Sequence, residues 1–313
     1  MSRFENYHYP SVVKGVSVAG YVWNLDGEHK PAAIVQISHG MAEHMARYDG
    51  FACFLNHYGI LVVGKDHVGH GLTAPELADC GYLGPINYRG PLIEDMHTQQ
   101  KEMQARYPGV PYFLFGHSMG SFLVREYITL YGKELSGAVI CGSGDMNKVA
   151  ISGARAFVDI LALLRGQHQR SSFINNLMFG SFNKRIENPR TNFDWLSHDE
   201  KIVDAYMADE KCGFLFTLNG FAHLLLNIAR VSLPQTFEET PKGLPILIIS
   251  GGQDPTGDYG RALHSLVKKY KRAGLADVEG KLYPEDRHEL LNELDAKIVM
   301  SDIASWIGRH RDE

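Results

Sequence analysis

The sequence predicts an α/β protein in which a mostly parallel sheet is flanked by helices and interrupted by a helical insert. Three observations support this prediction. Strand-like and helix-like segments alternate along most of the chain, a G-x-S-x-G pattern at residues 116–120 joins an apolar run to an amphipathic segment, and the alternation stops between residues 145 and 240. Such alternation favours parallel strands that are joined by helices on the faces of the sheet.

The elements before the G-x-S-x-G pattern follow from apolar runs separated by polar turns. Residues 44–58 have a helical period, which places Phe51, Phe54, Leu55 and Tyr58 on one side. In chain order, the predicted elements are two extended pieces in Val12–Trp23 broken at Gly15, a turn at Asn24–Gly27, a strand at Ala32–Ile37, the helix over residues 44–58, a strand at Ile60–Val63 and a helix at Pro91–Tyr107.

The G-x-S-x-G pattern has the context of a nucleophile elbow. Tyr112–Phe115, preceded by Pro111, predicts a buried strand, and the residues after the pattern interleave apolar side chains with Arg125 and Glu126, as in a helix packed on a sheet. In such an elbow the serine sits on a strained strand-to-helix turn, and the flanking glycines let the backbone bend. Ser118 is therefore the candidate nucleophile.

The strand signal is interrupted once in the second half of the chain. Between residues 145 and 240 there are helical periods, such as Phe157–Leu164 and Phe221–Arg230, and no convincing central strand. On either side, the predicted elements are strands at Gly137–Cys141, Leu244–Ile249 and Val278–Tyr283 and helices at Gly260–Arg272 and Ala296–Arg309. We therefore expect a core of residues 1–144 and 241–313 with a helical cap insert of residues 145–240.

Composition excludes several classes of function. The 313 residues are 44% hydrophobic and 21% charged with a net charge of -5, so the chain lacks the basic surface of a nucleic-acid-binding protein. No apolar run reaches the length of a membrane span, and the first residues lack the apolar stretch of a secretory signal. Four cysteines without C-x-x-C spacing predict neither a disulfide framework nor a zinc site, which makes the cytoplasm the expected compartment.

A serine nucleophile needs a general base that is oriented by an acid, and on this fold both follow the serine in the chain. Asp254 comes just after the predicted strand Leu244–Ile249, so it is placed as the orienting acid. Asp145, which follows an earlier strand, is the alternative acid. His288 follows the last predicted strand and a short loop, so it is the expected base.

An acyl-transfer enzyme must also stabilise the oxyanion, usually with backbone N–H groups. The N–H of Met119 is one expected donor because it is the first of the elbow helix. The other is expected from the His-Gly turn after the strand Ala32–Ile37, where the N–H of Met41 would point inward. Neither a metal nor an organic cofactor is required by this chemistry.

With these residues in view, the chain resembles the α/β-hydrolase superfamily and, within it, the monoacylglycerol lipase and lysophospholipase branch. The resemblance implies an eight-stranded, mostly parallel sheet and a mobile helical cap that covers the serine and forms an acyl-chain tunnel. It also implies Ser118 as nucleophile, Asp254 and His288 as its partners, and Met41 and Met119 as oxyanion donors. The residues that carry the narrower likeness are His39–His44 with Arg47-Tyr48, Asp66–Gly71, Gly116–Gly120, Gly252–Pro255 and His288-Glu289.

Apolar stripes in the insert permit two interpretations. Such stripes are most often ordinary core, but they also suit a channel for an acyl chain that is lined by Leu177, Met178 and Phe179. Cys212 lies in the same insert and is either an inert buried thiol or a neighbour of this channel. The apolar stretches permit transient contact of the cap with membranes but do not require it.

The leading functional hypothesis is a serine carboxylester hydrolase that acts on small, singly acylated lipids. An amidase or aminopeptidase with the same triad is the second hypothesis, because fold alone does not determine the substrate. It would need acidic residues in the cap to hold an amine, for which Asp194, Asp199, Glu200 and Asp204 are available. A ligand-binding receptor with the same fold is the third.

Overall fold

A computed structural model describes residues 4–25, 27, 30–86 and 90–311 of the chain. The predicted turn at Asn24–Gly27 includes Asp26, which lies outside the described residues. The strands in the described part are β1 (Glu5–Pro10), β2 (Ser17–Trp23), β3 (Ala33–Ser38), β4 (Ile60–Lys65), β5 (Tyr112–His117), β6 (Gly137–Cys141), β7 (Ile246–Gly251) and β8 (Val278–Tyr283).

These strands form one sheet in the order β1-β2-β4-β3-β5-β6-β7-β8. β2 is antiparallel to both of its neighbours, and every pairing from β4 to β8 is parallel. All residues of β3, β4, β5 and β7 are buried, as expected for parallel strands that are covered on both faces. The predicted eight-stranded, mostly parallel sheet is confirmed.

Helices cover both faces of the sheet. Helix side chains such as Phe51 and Ile303 pack with one face, whereas Phe122 and Leu266 pack with the other. The longer helices are α1 (Asp49–Asn56), α2 (Pro91–Arg106), α3 (Met119–Tyr131), α4 (Lys148–Arg165), α5 (Ser172–Phe179), α6 (Glu200–Ala208), α7 (Leu218–Val231), α8 (Pro234–Glu239), α9 (Arg261–Arg272) and α10 (Ala296–His310).

The N-terminal strands differ from the prediction. The first extended piece was expected to begin at Val12, but β1 ends at Pro10 and Val12 lies in the hairpin turn before β2. The N–H of Ser11 donates to the carbonyl of Val16 across this turn (3.0 Å), and Gly15 has a φ of 84° that suits glycine. β1 was missed because most of its residues are exposed, which leaves no apolar alternation to detect.

The segment between β6 and β7 is helical. It holds α4 to α8, and in the described residues its β structure is an isolated bridge between Arg170 and Thr217. α4 packs on α7, which in turn packs on α3 beside the sheet. None of the helices within the described ranges combines the length and the apolar character that crossing a bilayer requires.

Candidate active site

Ser118 stands on the sharp turn between β5 and α3. Its φ of 52° and ψ of -118° are strained for a residue with a side chain, which is the backbone of a nucleophile elbow. A Cβ on Gly120 would lie 1.9 Å from the carbonyl oxygen of Ser38, and one on Gly116 would lie 2.4 Å from that of Gly120. Only glycine fits at both positions, and this close packing holds Ser118 at the carboxyl edge of the sheet.

Asp254 and His288 lie at the same edge, after β7 and β8. Asp254 is fully buried, and its Oδ1 accepts a hydrogen bond from the N–H of Thr256 at 2.8 Å. The Nδ1 atom of His288 lies 2.9 Å from Oδ2 of Asp254, an ion-pair distance, although the ring N–H is not in line with the oxygen. The structure therefore brings the predicted acid and base together.

His288 is enclosed by aromatic rings. Its ring centroid lies 4.7 Å from that of His117 and 4.9 Å from that of Trp195, and its backbone N–H donates to the carbonyl of Trp195 at 3.4 Å. Burial disfavours the charged imidazole, but the carboxylates of Asp254, Glu289 and Glu43, with Asp254 the largest contributor of the three, together outweigh this effect and raise the pKa of His288 above its ordinary value. These carboxylates therefore favour the protonated form of His288.

Asp145, the alternative acid, has other partners. Its two carboxylate oxygens accept hydrogen bonds from Nζ of Lys269 at 2.6 and 2.7 Å, and one of them also accepts from the hydroxyl of Ser265 at 2.5 Å. These contacts tie the end of β6 to α9. Asp145 does not line the cavity that contains His288.

The backbone N–H groups of Met41 and Met119 belong to residues that line one cavity together with Ser118. In the described part of the chain, neither N–H donates a hydrogen bond to another protein group. A Cβ on Gly40, the residue before Met41, would lie 3.3 Å from Cβ of Ser118. The loop that carries Met41 thus approaches the serine closely, and the two unengaged N–H groups belong to residues that share one cavity with Ser118.

Ala42 anchors this loop with a φ of 53°. Its N–H donates to Nε2 of His70 at 3.3 Å, and its carbonyl accepts from the hydroxyl of Tyr206 and the N–H of Gly213, both at 2.9 Å. Burial lowers the pKa of His70 to about 3, so the ring stays neutral and Nε2 remains an acceptor. Tyr206 and Gly213 belong to the predicted cap, so the cap contacts the loop that carries Met41.

A buried ion network joins the same loop to the His288 segment. Arg47 donates from Nη1 to Glu43 at 2.6 Å, and from Nη1 and Nη2 to the two oxygens of Glu289 at 2.8 and 2.7 Å. Glu43 also accepts from the N–H of Gly40 at 2.5 Å and from the hydroxyl of Tyr48 at 2.8 Å. Although burial raises the pKa of carboxyl groups, Arg47 brings the pKa of Glu289 down to about 2.

A cavity of about 1120 Å³ extends from Ser118 and His288 into the helical segment. Its wall is mostly apolar and includes the predicted contacts Leu177, Met178 and Phe179. Cys212, the fourth predicted contact, lies outside this wall. Its side chain packs with buried neighbours of the helical segment, Leu196 and Tyr206.

Several residues at the site had no role in the sequence-based prediction. His70, Arg47 and Glu289 fall in the sequence motifs that carry the family resemblance. Those motifs marked the three residues, but the sequence did not indicate which residues they would contact. No motif or periodic pattern in the sequence pointed to Trp195 or Tyr206, because their contacts join residues that are far apart in the chain.

The sequence and the fold of the chain both match known proteins. Residues 29–295 match the family described as serine aminopeptidase, S33. The chain is 28% identical to the monoacylglycerol lipase of Mycolicibacterium smegmatis, over 99% of this chain and 99% of that protein. It resembles the structure of a highly thermostable carboxyl esterase from Bacillus coagulans in complex with glycerol, with a TM-score of 0.90, 32% identity and 99% coverage of each chain.

A more distant structure has the same fold. The soluble variant of monoglyceride lipase from Saccharomyces cerevisiae, in complex with a substrate analog, matches with a TM-score of 0.76 at 18% identity, over 99% of this chain and 96% of that one. The predicted resemblance to α/β-hydrolases of the monoacylglycerol lipase branch is confirmed. The chain is a hydrolase of the serine hydrolase type, with the α/β-hydrolase fold, and belongs to the serine aminopeptidase S33 family.

Proposed function

We propose that the chain is a serine carboxylester hydrolase that cleaves singly acylated lipids, either monoacylglycerols or lysophospholipids. The observation that carries this proposal is the apolar cavity of about 1120 Å³ with Ser118 and His288 in its wall. This volume slightly exceeds the usual range of small-molecule sites and suits a long acyl chain. The relatives named monoacylglycerol lipase and carboxyl esterase support the same substrate class.

In the proposed reaction, Ser118 Oγ attacks the ester carbonyl while His288 accepts its proton. Asp254 stabilises the imidazolium, and the N–H groups of Met41 and Met119 donate to the oxyanion. His288 then gives the proton to the leaving alcohol, which departs and leaves an acyl group on Ser118. Water that is deprotonated by His288 attacks this acyl-enzyme and releases the fatty acid.

The acidic residues of the cap argue against the aminopeptidase alternative, in spite of the family's description. Asp194 accepts hydrogen bonds from Arg190 and Thr191, and Asp199 caps α6. Glu200 and Asp204 pair with Arg190 at 3.5 and 2.9 Å. None of the four carboxylates lines the cavity, so none is placed to hold the amine of a peptide.

Acyl-chain preference tests the proposed substrate class. We expect hydrolysis rates to rise with chain length across a series of 4-nitrophenyl esters and monoacylglycerols, because longer chains bury more apolar surface in the cavity. Ala154 lines the cavity from α4, so Ala154→Phe is expected to shift the preferred ester to shorter chains. Initial rates across the series measure both effects.

The matched control is Ala156→Phe, which adds the same ring at an exposed position of α4 outside the cavity wall. It is expected to leave the preference unchanged. Hydrolysis confined to acetyl and butyryl esters would contradict the lipid assignment. Tight ligand binding without turnover would favour a receptor instead.

We also propose that the cap contacts lipid surfaces through an exposed apolar face. Leu163, Leu164 and Phe173 are 85%, 74% and 63% exposed, and Leu177 is 65% exposed while it also lines the cavity. These residues lie on the consecutive helices α4 and α5, and several large apolar side chains exposed together are unusual for a surface that faces only water. Because Leu177 also lines the cavity, this arrangement suits a substrate that enters from a lipid phase.

Leu163→Asp tests this contact. Transfer of a Leu side chain from water to a lipid surface stabilises the bound state by on the order of 1 to 2 kcal/mol. We therefore expect Leu163→Asp to bind phosphatidylcholine vesicles roughly tenfold more weakly, as measured by co-sedimentation. Hydrolysis of a short, dissolved ester should not change. Leu294→Asp is the control, at a residue that is 76% exposed and lies just before α10 rather than on α4 or α5. Equal loss of vesicle binding in both variants would contradict a specific contact through the cap.

A further inference from the structure

Three metal-ligating side chains converge beside the cavity, at the junction of the core and the cap. The ligand atoms of His44, Asp209 and Cys212 all lie within 4.8 Å of one another, and Nε2 of His44 is 2.9 Å from Oδ2 of Asp209. His44 belongs to the loop that carries Met41, whereas Asp209 and Cys212 lie in the turn after α6. We propose that these three residues form a binding site for Zn²⁺.

The donor set suits this ion. Zn²⁺ takes imidazole nitrogen, thiolate sulfur and carboxylate oxygen in tetrahedral sites, and three protein ligands leave a fourth position for water. The Asp209 side chain is 39% exposed, which gives water access to that position. In a tetrahedral site with the usual bond lengths, Nε2 of His44 and Oδ2 of Asp209 would stand about 3.3 Å apart. They are now 2.9 Å apart, so a small movement of a partly exposed side chain admits the ion.

The turn that carries two of the ligands is already ordered. The N–H of Cys212 donates to the carbonyl of Asp209 at 2.9 Å, and the N–H of Lys211 donates to Oδ1 of Asp209 at 2.8 Å. Hydrogen bonds of this kind orient the ligand atoms of metal sites. Because Oδ1 is engaged by the backbone, Oδ2 is the oxygen that faces His44.

The local charges also permit a divalent cation. The carboxylate of Asp209 and the thiolate of Cys212 together balance the charge of Zn²⁺. The nearby guanidinium of Arg47 is paired with Glu43 and Glu289, so it does not stand as an uncompensated positive charge. The ammonium of Lys211 donates to the carbonyls of Ala74 and Pro75 at 2.5 and 3.2 Å and is engaged there.

Binding has a proton balance that can be measured. A cysteine thiol has an ordinary pKa of about 8.5, so an uncoordinated thiol is mostly protonated at neutral pH. Coordination forms a Zn–S bond and breaks the S–H bond, and the proton leaves to the buffer. The expected stoichiometry is therefore one thiol proton released for each Zn²⁺ bound.

The ion would join the cap turn to the loop of Met41, where Ala42 already accepts hydrogen bonds from Tyr206 and Gly213. Cysteine spacing could not reveal this site, because His44 and Asp209 are 165 residues apart and only one ligand is a cysteine. The site does not include Ser118, so zinc binding is independent of the proposed hydrolysis.

Isothermal titration of the full-length, tag-free chain with Zn²⁺, in two buffers of different ionisation enthalpy, tests the proposal. We expect one site per chain with proton release, and Co²⁺ should give a thiolate-to-metal absorption band. Removal of a residue that hydrogen-bonds to a metal ligand lowers metal affinity roughly 10- to 100-fold. Cys212→Ala and His44→Gln remove ligands themselves, so each should weaken Zn²⁺ binding by at least that factor. Ser118→Ala should bind Zn²⁺ as the unaltered chain does.

A second cluster provides the matched control. Asp277, Glu279 and His310 also place their ligand atoms within 4.8 Å of one another, with Asp277 half-buried, Glu279 exposed and His310 buried. His310→Gln should leave Zn²⁺ binding unchanged. If His310→Gln abolishes binding, if Cys212→Ala and His44→Gln retain it, or if no Zn²⁺ binds, the proposal is wrong. Asp209→Asn, at a partly exposed side chain, repeats the test should Cys212→Ala fail to fold.

Discussion

Replacing Ser118 by alanine is expected to lower kcat for ester hydrolysis by about 10⁶-fold, the loss that accompanies removal of a triad serine. Without the hydroxyl, no acyl-enzyme forms, and His288 has no nucleophile to activate. The residual rate above the uncatalysed reaction would come from substrate binding and from the N–H groups of Met41 and Met119. Steady-state rates on a 4-nitrophenyl ester, together with trapping of an acyl group on the protein, measure the effect.

The control for this variant is another serine in the wall of the same cavity. Ser181 is exposed and lines the cavity from the helical segment, and no step of the proposed reaction uses it. Ser181→Ala is therefore expected to keep kcat near that of the unaltered chain. If Ser118→Ala retained most of its activity, or if acyl transfer were found at another residue, the proposed mechanism would have to be abandoned.

The residues at strand ends were predictable because parallel strands bring their carboxyl ends to one edge. Ser118, Asp254 and His288 each follow a strong apolar run, and chain order together with this geometry sufficed to place them. The structure then puts Asp254 and His288 2.9 Å apart and lines one cavity with Ser118 and His288. The positions of these three residues at strand ends follow from local sequence pattern, whereas their catalytic roles remain a proposal.

The supporting contacts were not predictable in the same way. The carbonyl of Ala42 accepts from Tyr206, 164 residues away, and neither residue has a periodic or motif signal for that contact. The buried ion network likewise depends on Arg47 meeting Glu289 across 242 residues. Such contacts arise from packing of the cap and loops on the sheet, which local propensity does not encode. Strand β1 was missed for a different reason, since an exposed edge strand lacks an apolar face.

Asp254→Asn is expected to lower kcat by about 10⁴-fold, the loss seen when a triad acid is replaced by its amide. The amide N–H₂ would face Nδ1 of His288 and favour the tautomer with its proton on Nε2. That nitrogen could then no longer accept the proton of Ser118. The geometry of the site should otherwise persist, because Asn can still accept from the N–H of Thr256 at the position of Oδ1.

The same variant should also move the pH profile. In the unaltered chain, Asp254 raises the pKa of His288 above its ordinary value, so kcat/KM should fall as the pH drops through this raised pKa and the base becomes protonated. Removing the carboxylate leaves burial as the main influence, and burial favours the neutral ring. The acid limb of kcat/KM for Asp254→Asn is therefore expected at lower pH than in the unaltered chain, in addition to the lower plateau.

Asp145→Asn is the matched control, since it removes the alternative acid, whose partners are Lys269 and Ser265. It is expected to leave both the plateau and the acid limb unchanged. A fall in kcat with an unmoved acid limb in Asp254→Asn would mean that the carboxylate orients His288 without stabilising its charge. If instead Asp145→Asn lowered the rate and Asp254→Asn did not, the acid would have been assigned to the wrong strand. The two measured features therefore separate orientation of the base from electrostatic stabilisation of it.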